Sequence, residues 1–180
     1  AMIKDKNLSK KLSEDVDEME KMLNDYLQFA STGAKDKTET FDLSDLLENI
    51  INKYENPNIL KDFDGSIYFS GRKNLIKRCI NNLIDNSLKY GKKIKIKIII
   101  NNQKSNIVIS VEDDGPGIPK SEYENVVKPF YKIDKGRSET KSSVGLGLSI
   151  SSDIAKSHGG DINFDQSNLG GLKVNIFLPV

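Results

Sequence analysis

The sequence predicts an α+β fold, a two-layer α/β sandwich with helices on one face of a mixed sheet, preceded by a long N-terminal helix. Three observations carry this reading. Apolar residues recur at helical spacing in several separate segments. Ile94-Lys-Ile-Lys-Ile98 and the set Ile107, Ile109, Val111 alternate strictly, as half-buried strands do. Helices and strands also interleave without the even βαβ rhythm of a doubly wound sheet.

The elements follow in order. Leu8, Leu12, Val16, Met19, Leu23, Tyr26, Leu27 and Ala30 fall three or four apart, with acidic residues on the other faces. A helix carrying so narrow a stripe folds back on a core or is one arm of a bundle whose other arms lie elsewhere. The second reading is preferred. Residues 31–40 have no periodicity and read as a linker. Asp42 suits an N-cap, with Phe41 stapled to Leu46 and an apolar face through Ile50 and Tyr54. Short strands are predicted at 59–63 and 66–69, split by Asp64-Gly65. Leu75, Ile76, Cys79, Ile80, Leu83, Ile84 and Leu88 make a helix over 73–90 that Gly91 ends. The alternating hairpin comes next, then a short helix at 121–127, and then a polar stretch over 132–143 expected to be mobile. A helix over 146–157 and strands at 161–165 and 172–178 complete the chain. The predicted division is 1–35 for the bundle helix and linker and 36–180 for the domain proper.

Composition narrows the function. The 180 residues carry 27 Lys plus Arg against 26 Asp plus Glu, a balance that disfavours a bulk nucleic-acid or anionic-lipid binder. One Cys and one His supply neither an internal disulfide nor a zinc cluster. No apolar run is long enough to span a bilayer, and Ala1-Met2 reads as the start of a piece from a longer protein.

Three motifs carry chemistry. Asn82, Asn86, Lys89 and Tyr90 share one helix stripe opposite the apolar one, either as a solvated face or as a site in which a hard amide oxygen serves Mg²⁺ alongside phosphates. Asp113-Asp-Gly-Pro-Gly117 ends a buried strand, where a carboxylate can accept from an exocyclic amine and glycines admit a ligand closely, although turns of this composition are common. Gly145-Leu-Gly147-Leu148 opens a helix whose free N–H groups suit an anion, behind a loop bearing Lys132, Lys135, Arg137 and Lys141; a flexible hinge would explain the glycines but not the cations.

In this order and spacing, the motifs resemble the catalytic ATP-binding domain of sensor histidine kinases, of the GHKL superfamily that includes gyrase and MutL ATPases. Asn82-Leu-Ile-Asp-Asn86-Ser-Leu-Lys89-Tyr90 is similar to the N box and Asp113-Asp-Gly-Pro-Gly-Ile118 to the G1 box. Pro129-Phe-Tyr131 is similar to the F box and Gly145-Leu-Gly-Leu148 to the G2 box. The N-terminal helix resembles the second helix of the dimerisation domain, and the layout looks like the osmosensor type.

The resemblance implies a Bergerat-type fold, ATP and Mg²⁺ as cofactors, and roles for individual residues. Asn86 would ligate Mg²⁺ with support from Asn82, Lys89 and Arg137 would contact phosphate, Tyr90 would pack on adenine, and Asp113 would accept from its amine. Gly115 and Gly117 would hinge a lid over 132–143, and Gly145 and Gly147 would present N–H groups. Ile118, Tyr131, Leu146 and Leu148 would complete the nucleotide pocket. It also implies a response regulator, of winged-helix type, as partner, a homodimer through the bundle, and a cytoplasmic position in an inner-membrane parent. The chain itself is expected outside the membrane and without nucleic acid. Alternatives are another GHKL ATPase, a protein-serine kinase, or a non-catalytic nucleotide-binding dimerisation module. Two departures stand out: Ser143-Val144 replaces the usual Gly-Thr, and Lys132 stands where Arg is frequent. His158, the chain's one His, precedes Gly159-Gly160 and reads as a helix-capping residue, so the acceptor His is expected on a helix outside this chain.

Overall fold

The computed structural model describes residues 12, 13, 16, 19, 20, 23, 27, 36–101, 103, 105–133 and 145–180. At the N-terminus, Leu12, Val16, Met19, Leu23 and Leu27 are helical, and each is 54–67% exposed. None of these five belongs to the core.

Strand β1 (Glu39–Asp42) leads directly into helix α1 (Leu43–Lys53). The Asp42 carboxylate accepts from the N–H groups of Ser44 (2.9 Å) and Asp45 (3.3 Å), satisfying two donors that an uncapped helix leaves free. Strands β2 (Ile59–Asp62) and β3 (Tyr68–Gly71) follow, then α2 (Lys73–Tyr90). The hairpin β4 (Ile94–Asn101) and β5 (Asn106–Asp113) comes next, then α3 (Gly147–Ser157), β6 (Asp161–Gln166) and β7 (Leu172–Pro179).

The main sheet has the order β2-β4-β5-β7-β6, with β2 parallel to β4 and the other pairs antiparallel. Ile94, Ile96, Ile107, Ile109, Val111, Val174 and Ile176 line one face and are buried against Leu43, Leu47, Ile76, Ile80, Leu83, Ile84 and Ile154 in a common core with the helices. Apolar burial of this kind contributes roughly 25 cal/mol per Å² and fixes which face each helix presents. The opposite face is polar along Lys95, Lys97, Ser110, Glu112, Lys173 and Asn175 and apolar where Ile99, Val108 and Phe177 pair. On it Lys95 meets Asp62 at 2.8 Å and Ser110 donates to Asn175 at 2.6 Å.

The predicted two-layer mixed-sheet sandwich is therefore the observed one, with three local corrections. Glu39 and Thr40 are not linker; they pair with Gly71 and Ser70, and the small β1-β3 sheet is pinned by Phe41 against Phe69, ring centroids 6.0 Å apart. β2 and β3 flank Asp64-Gly65 but join different sheets. The helix predicted over 121–127 is a single 3₁₀ turn, Lys120–Glu122, followed by further turns. It has few apolar positions to bury and none of its own three residues is buried.

His158 terminates α3 as the sequence suggests. Its Nε2 accepts from the Arg72 N–H (3.0 Å), and Nδ1 donates to the Ile154 carbonyl (2.8 Å), which fixes the neutral tautomer. Burial, with the Arg72 charge nearby, lowers its proton affinity below the ordinary 6.5 against the opposing pull of the Ile154 carbonyl. The unfolded chain therefore binds more protons once pH falls below about 6.5, and stability drops as pH falls toward the folded value. The melting temperature should decline between pH 7.5 and 5.5, and His158→Gln should flatten that slope. An equally steep slope in the variant would contradict this role.

Candidate functional site

The site forms where the end of β5 meets the start of its antiparallel neighbour β7. Asp113 ends β5 and is 4% exposed, so its carboxylate depends on protein donors. Its Oδ1 accepts from Gly115 N–H (2.9 Å) and Leu172 N–H (3.1 Å), and its backbone carbonyl accepts from Gly171 (3.0 Å). Its Oδ2 accepts from the Ser87 hydroxyl at 3.3 Å. A carboxylate offers about four lone-pair positions, and these contacts use three, leaving one for an incoming donor.

Ser87 belongs to α2, so this contact brings the end of β5 against the helix that carries the predicted amide stripe. Asn86 precedes Ser87 directly. Lys89 and Tyr90 lie in the last turn, with the ammonium 5.4 Å from the Tyr90 ring centroid and Tyr90 52% exposed. Farther toward the N-terminus of α2, Asn82 faces the start of α3, where a β-carbon at Gly147 would lie 4.0 Å from Asn82 Cβ. Asn82 Nδ2 is buried and has no acceptor. An unpaired buried amide costs about 1–3 kcal/mol, which a ligand oxygen there would recover.

The remaining predicted residues fall around this axis. Gly115 sits beside Asp113 and the Tyr90 carbonyl, and Gly117 takes φ +66° next to the Gly171 carbonyl. Ile118, Tyr131 and Leu148 are partly buried against the core, and Leu146 is fully buried. The Tyr131 hydroxyl donates to Glu122, a contact that, together with Asn125, holds the Glu122 carboxyl below the usual range. Gly145 takes φ +77° and its carbonyl accepts from Phe130 N–H (3.0 Å). A side chain there would meet the Tyr131 carbonyl at 2.7 Å. This pairing joins the two described ends of the predicted lid. Arg137 and Ser143-Val144 lie outside the described residues.

Two contributors escape the sequence reading. Ser87 lies on the apolar stripe with Ile80, Leu83 and Ile84, and a hydroxyl in that row is the signal that would have marked it. Gly171 reads in sequence as a turn glycine, but the structure packs it against Asp113: a β-carbon there would lie 2.2 Å from Asp113 Oδ1 and 2.4 Å from Gly115 N.

Residues 71–180 match the family described as histidine kinase-, DNA gyrase B- and HSP90-like ATPases. The chain belongs to this ATPase family. The sensor histidine kinase GtrS of Pseudomonas aeruginosa is 32% identical over 180 residues, 99% of the chain and 37% of its own length. The sensor histidine kinase WalK of Bacillus subtilis is 30% identical over 177 residues, 92% of the chain and 29% of its own length. The solved histidine kinase domain of the Escherichia coli osmosensor EnvZ is 29% identical with a TM-score of 0.61, over 82% of the chain and 92% of that domain. The chain thus spans about a third of the curated relatives it matches, and it shares the ATP-binding domain of sensor histidine kinases.

The donor set fits a nucleotide of this ATPase family. One Asp113 oxygen has spare acceptor capacity, Asn82 Nδ2 lacks an acceptor, and the α3 start presents N–H groups. No cluster of three or more His, Cys, Asp or Glu suited to a metal occurs among the described residues, so a divalent ion here would depend on amide oxygen and phosphate. No helix among the described residues is long and apolar enough to cross a membrane.

Proposed function

We propose that the chain is the catalytic portion of a two-component sensor histidine kinase, with residues 1–35 forming one bundle helix and its linker and 36–180 the catalytic domain. The observation that carries the reading is the buried Asp113 carboxylate, fixed by Gly115 and Leu172 and set against Ser87 on the amide-bearing helix. Asp113 Oδ2 accepts the adenine amine, and Tyr90 supplies ring surface at the open edge. Lys89 and Arg137 orient the phosphates. Asn86, supported by Asn82, would hold Mg²⁺, whose charge would offset that developing on the phosphate oxygens. Gly145 and Gly147 present N–H groups to the same oxygens, and Ile118, Tyr131, Leu146 and Leu148 exclude water from the pocket.

The acceptor is a His on another helix of a longer protein. Its ring nitrogen attacks the γ-phosphorus as the bond to the ADP oxygen breaks, and the phosphoryl group then passes to an Asp of a response regulator. His158 does not serve, because its Nε2 lone pair is engaged by the Arg72 N–H and Nδ1 by the Ile154 carbonyl. The exposed row Leu12, Val16, Met19, Leu23 and Leu27 supports a bundle helix that pairs in a homodimer, since full burial of each side chain contributes about 1.5–3 kcal/mol. On the motif resemblance, the regulator is of winged-helix type and the parent is seated in the inner membrane with this part in the cytoplasm.

The chain should bind ATP saturably and with Mg²⁺ dependence, and should phosphorylate a separately supplied His-bearing bundle from the same parent, giving acid-labile phosphate. Saturable binding with steady hydrolysis and no labelled acceptor would favour an ATPase instead. Absence of saturable binding would reject both.

A further inference from the structure

Beside Asp113, on the sheet face turned away from the helices, stands a second carboxylate that the site described above does not use. Successive strand residues point to opposite faces, so Glu112 looks outward where Asp113 looks toward α2. It is nevertheless only 4% exposed. Its register partners are Lys95 on β4 and Lys173 on β7, and Lys173 Nζ lies 3.3 Å from Glu112 Oε1. The other oxygen, Oε2, accepts from the Ser167 hydroxyl and from the Asn168 N–H, each at 3.3 Å. A buried carboxylate needs donors of this kind, and a buried ion pair adds little net stability over apolar residues of the same size. What the arrangement yields is position.

The segment it positions is the β6–β7 turn, residues 167–171. Ser167 Oγ joins Glu112 to the turn, because it also accepts from the Leu169 N–H at 2.9 Å. The Ser167 N–H donates to the Gly171 carbonyl (2.9 Å), and the Gly170 N–H donates to the Ser167 carbonyl (3.0 Å). The far end of the turn then delivers the Gly171 N–H to the Asp113 carbonyl and the Leu172 N–H to Asp113 Oδ1. Two adjacent residues of β5 therefore grip one turn from opposite faces of the sheet. Glu112 holds the start of the turn, and the end of the turn holds the Asp113 carboxylate.

We propose that Glu112 is a positioning residue for base recognition: through Ser167 and Asn168 it fixes the β6–β7 turn, and the turn fixes Asp113 for an incoming exocyclic amine. This rests on the ATP-binding reading above and adds to it a residue that never touches the nucleotide. Without the Glu112 side chain, Asp113 keeps its contacts to Gly115 and Ser87, but the donors from Gly171 and Leu172 are free to drift. Support of this kind is what keeps a binding group within about 0.5 Å of its working geometry. The loss therefore falls on the base amine and spares the phosphates.

The test is calorimetric titration of the 180-residue chain with Mg-ATP and with Mg-purine riboside triphosphate, which carries hydrogen in place of the 6-amino group. Wild type is compared with Glu112→Ala, Glu112→Gln and Ser167→Ala, each beside a thermal melt. Wild type should prefer ATP. Glu112→Ala should weaken ATP about tenfold and the amine-free nucleotide by less than about twofold. Glu112→Gln, whose amide oxygen can still accept from Ser167 and Asn168, should return the preference to within about twofold of wild type. Exchange of the Gly171 and Leu172 amide hydrogens should quicken about tenfold in Glu112→Ala and stay near wild type in Glu112→Gln. If Glu112→Ala does not fold, Ser167→Ala takes its place, with an expected loss for ATP of about threefold. Equal weakening of both nucleotides, an unchanged ATP affinity, unchanged amide exchange, or a Glu112→Gln variant as impaired as Glu112→Ala would overturn the proposal. A wild type that binds both nucleotides alike would instead reject Asp113 as the amine acceptor and this role with it, and one that binds neither would reject the nucleotide reading itself.

Discussion

Asp113→Asn is expected to weaken ATP binding by about 100-fold, roughly 2.8 kcal/mol, with little change in melting temperature. The amide keeps one oxygen to accept from Gly115 and Leu172, so the turn after β5 retains its two anchoring hydrogen bonds. Its NH₂ replaces Oδ2, and the Ser87 hydroxyl can rotate to accept from it. The adenine amine then meets a donor where it needs an acceptor, and two buried donors facing one another leave both unpaired. Asp113→Ala is a poorer probe, because it strands the Gly115 and Leu172 N–H groups and the Ser87 hydroxyl together and confounds folding with binding. Calorimetric titration beside a thermal melt separates the two effects. Undiminished affinity in a folded Asp113→Asn variant would remove the carboxylate from the nucleotide site.

Gly171→Ala should show the opposite pattern, a large loss of stability that also removes binding. The added carbon would lie 2.2 Å from Asp113 Oδ1, 2.4 Å from Gly115 N and 2.7 Å from the Asp113 carbonyl oxygen. Two of those atoms are backbone, and the third is held by two hydrogen bonds, so no flexible side-chain end can yield. Overpacking of this kind costs about 1–3 kcal/mol or more. For a domain of this size, 3 kcal/mol corresponds to a fall of about 6–12 °C in melting temperature. Relief requires β7 to move away from the end of β5, which breaks the Leu172-to-Asp113 bond that positions the carboxylate. A melting curve that matches wild type would show that the β5–β7 junction is looser than its contacts indicate.

Much of the fold was legible because it depends on periodicity within short windows. The α2 stripe gave both ends of that helix, and Ile94 to Ile98 against Ile107 to Val111 gave the hairpin and its wet face. Asp42 was legible as a cap because a carboxylate before an apolar helix start has a single local use. The motif order gave the family, since four spaced motifs constrain a sequence far more than any one of them. β1 was not legible. Four residues pairing with β3, stabilised by a single aromatic contact across the two strands, leave no alternation to read. The separation of β2 and β3 into different sheets was equally hidden, because a turn signal such as Asp64-Gly65 does not say with which strands its flanks pair.

The sequence by itself determined the helices, the hairpin, the family and the residue types available for chemistry, because each depends on neighbours a few positions apart. Only the tertiary structure decided which of those residues meet. Ser87 reaches Asp113 across 26 residues of chain, Gly171 closes on the same carboxylate across 58, and Asn82 comes to face Gly147 across 65. Packing α2 and α3 on one face of the sheet fixes those encounters, and the energy that fixes them comes from buried Leu and Ile side chains whose pattern says where a face lies and not what stands opposite it.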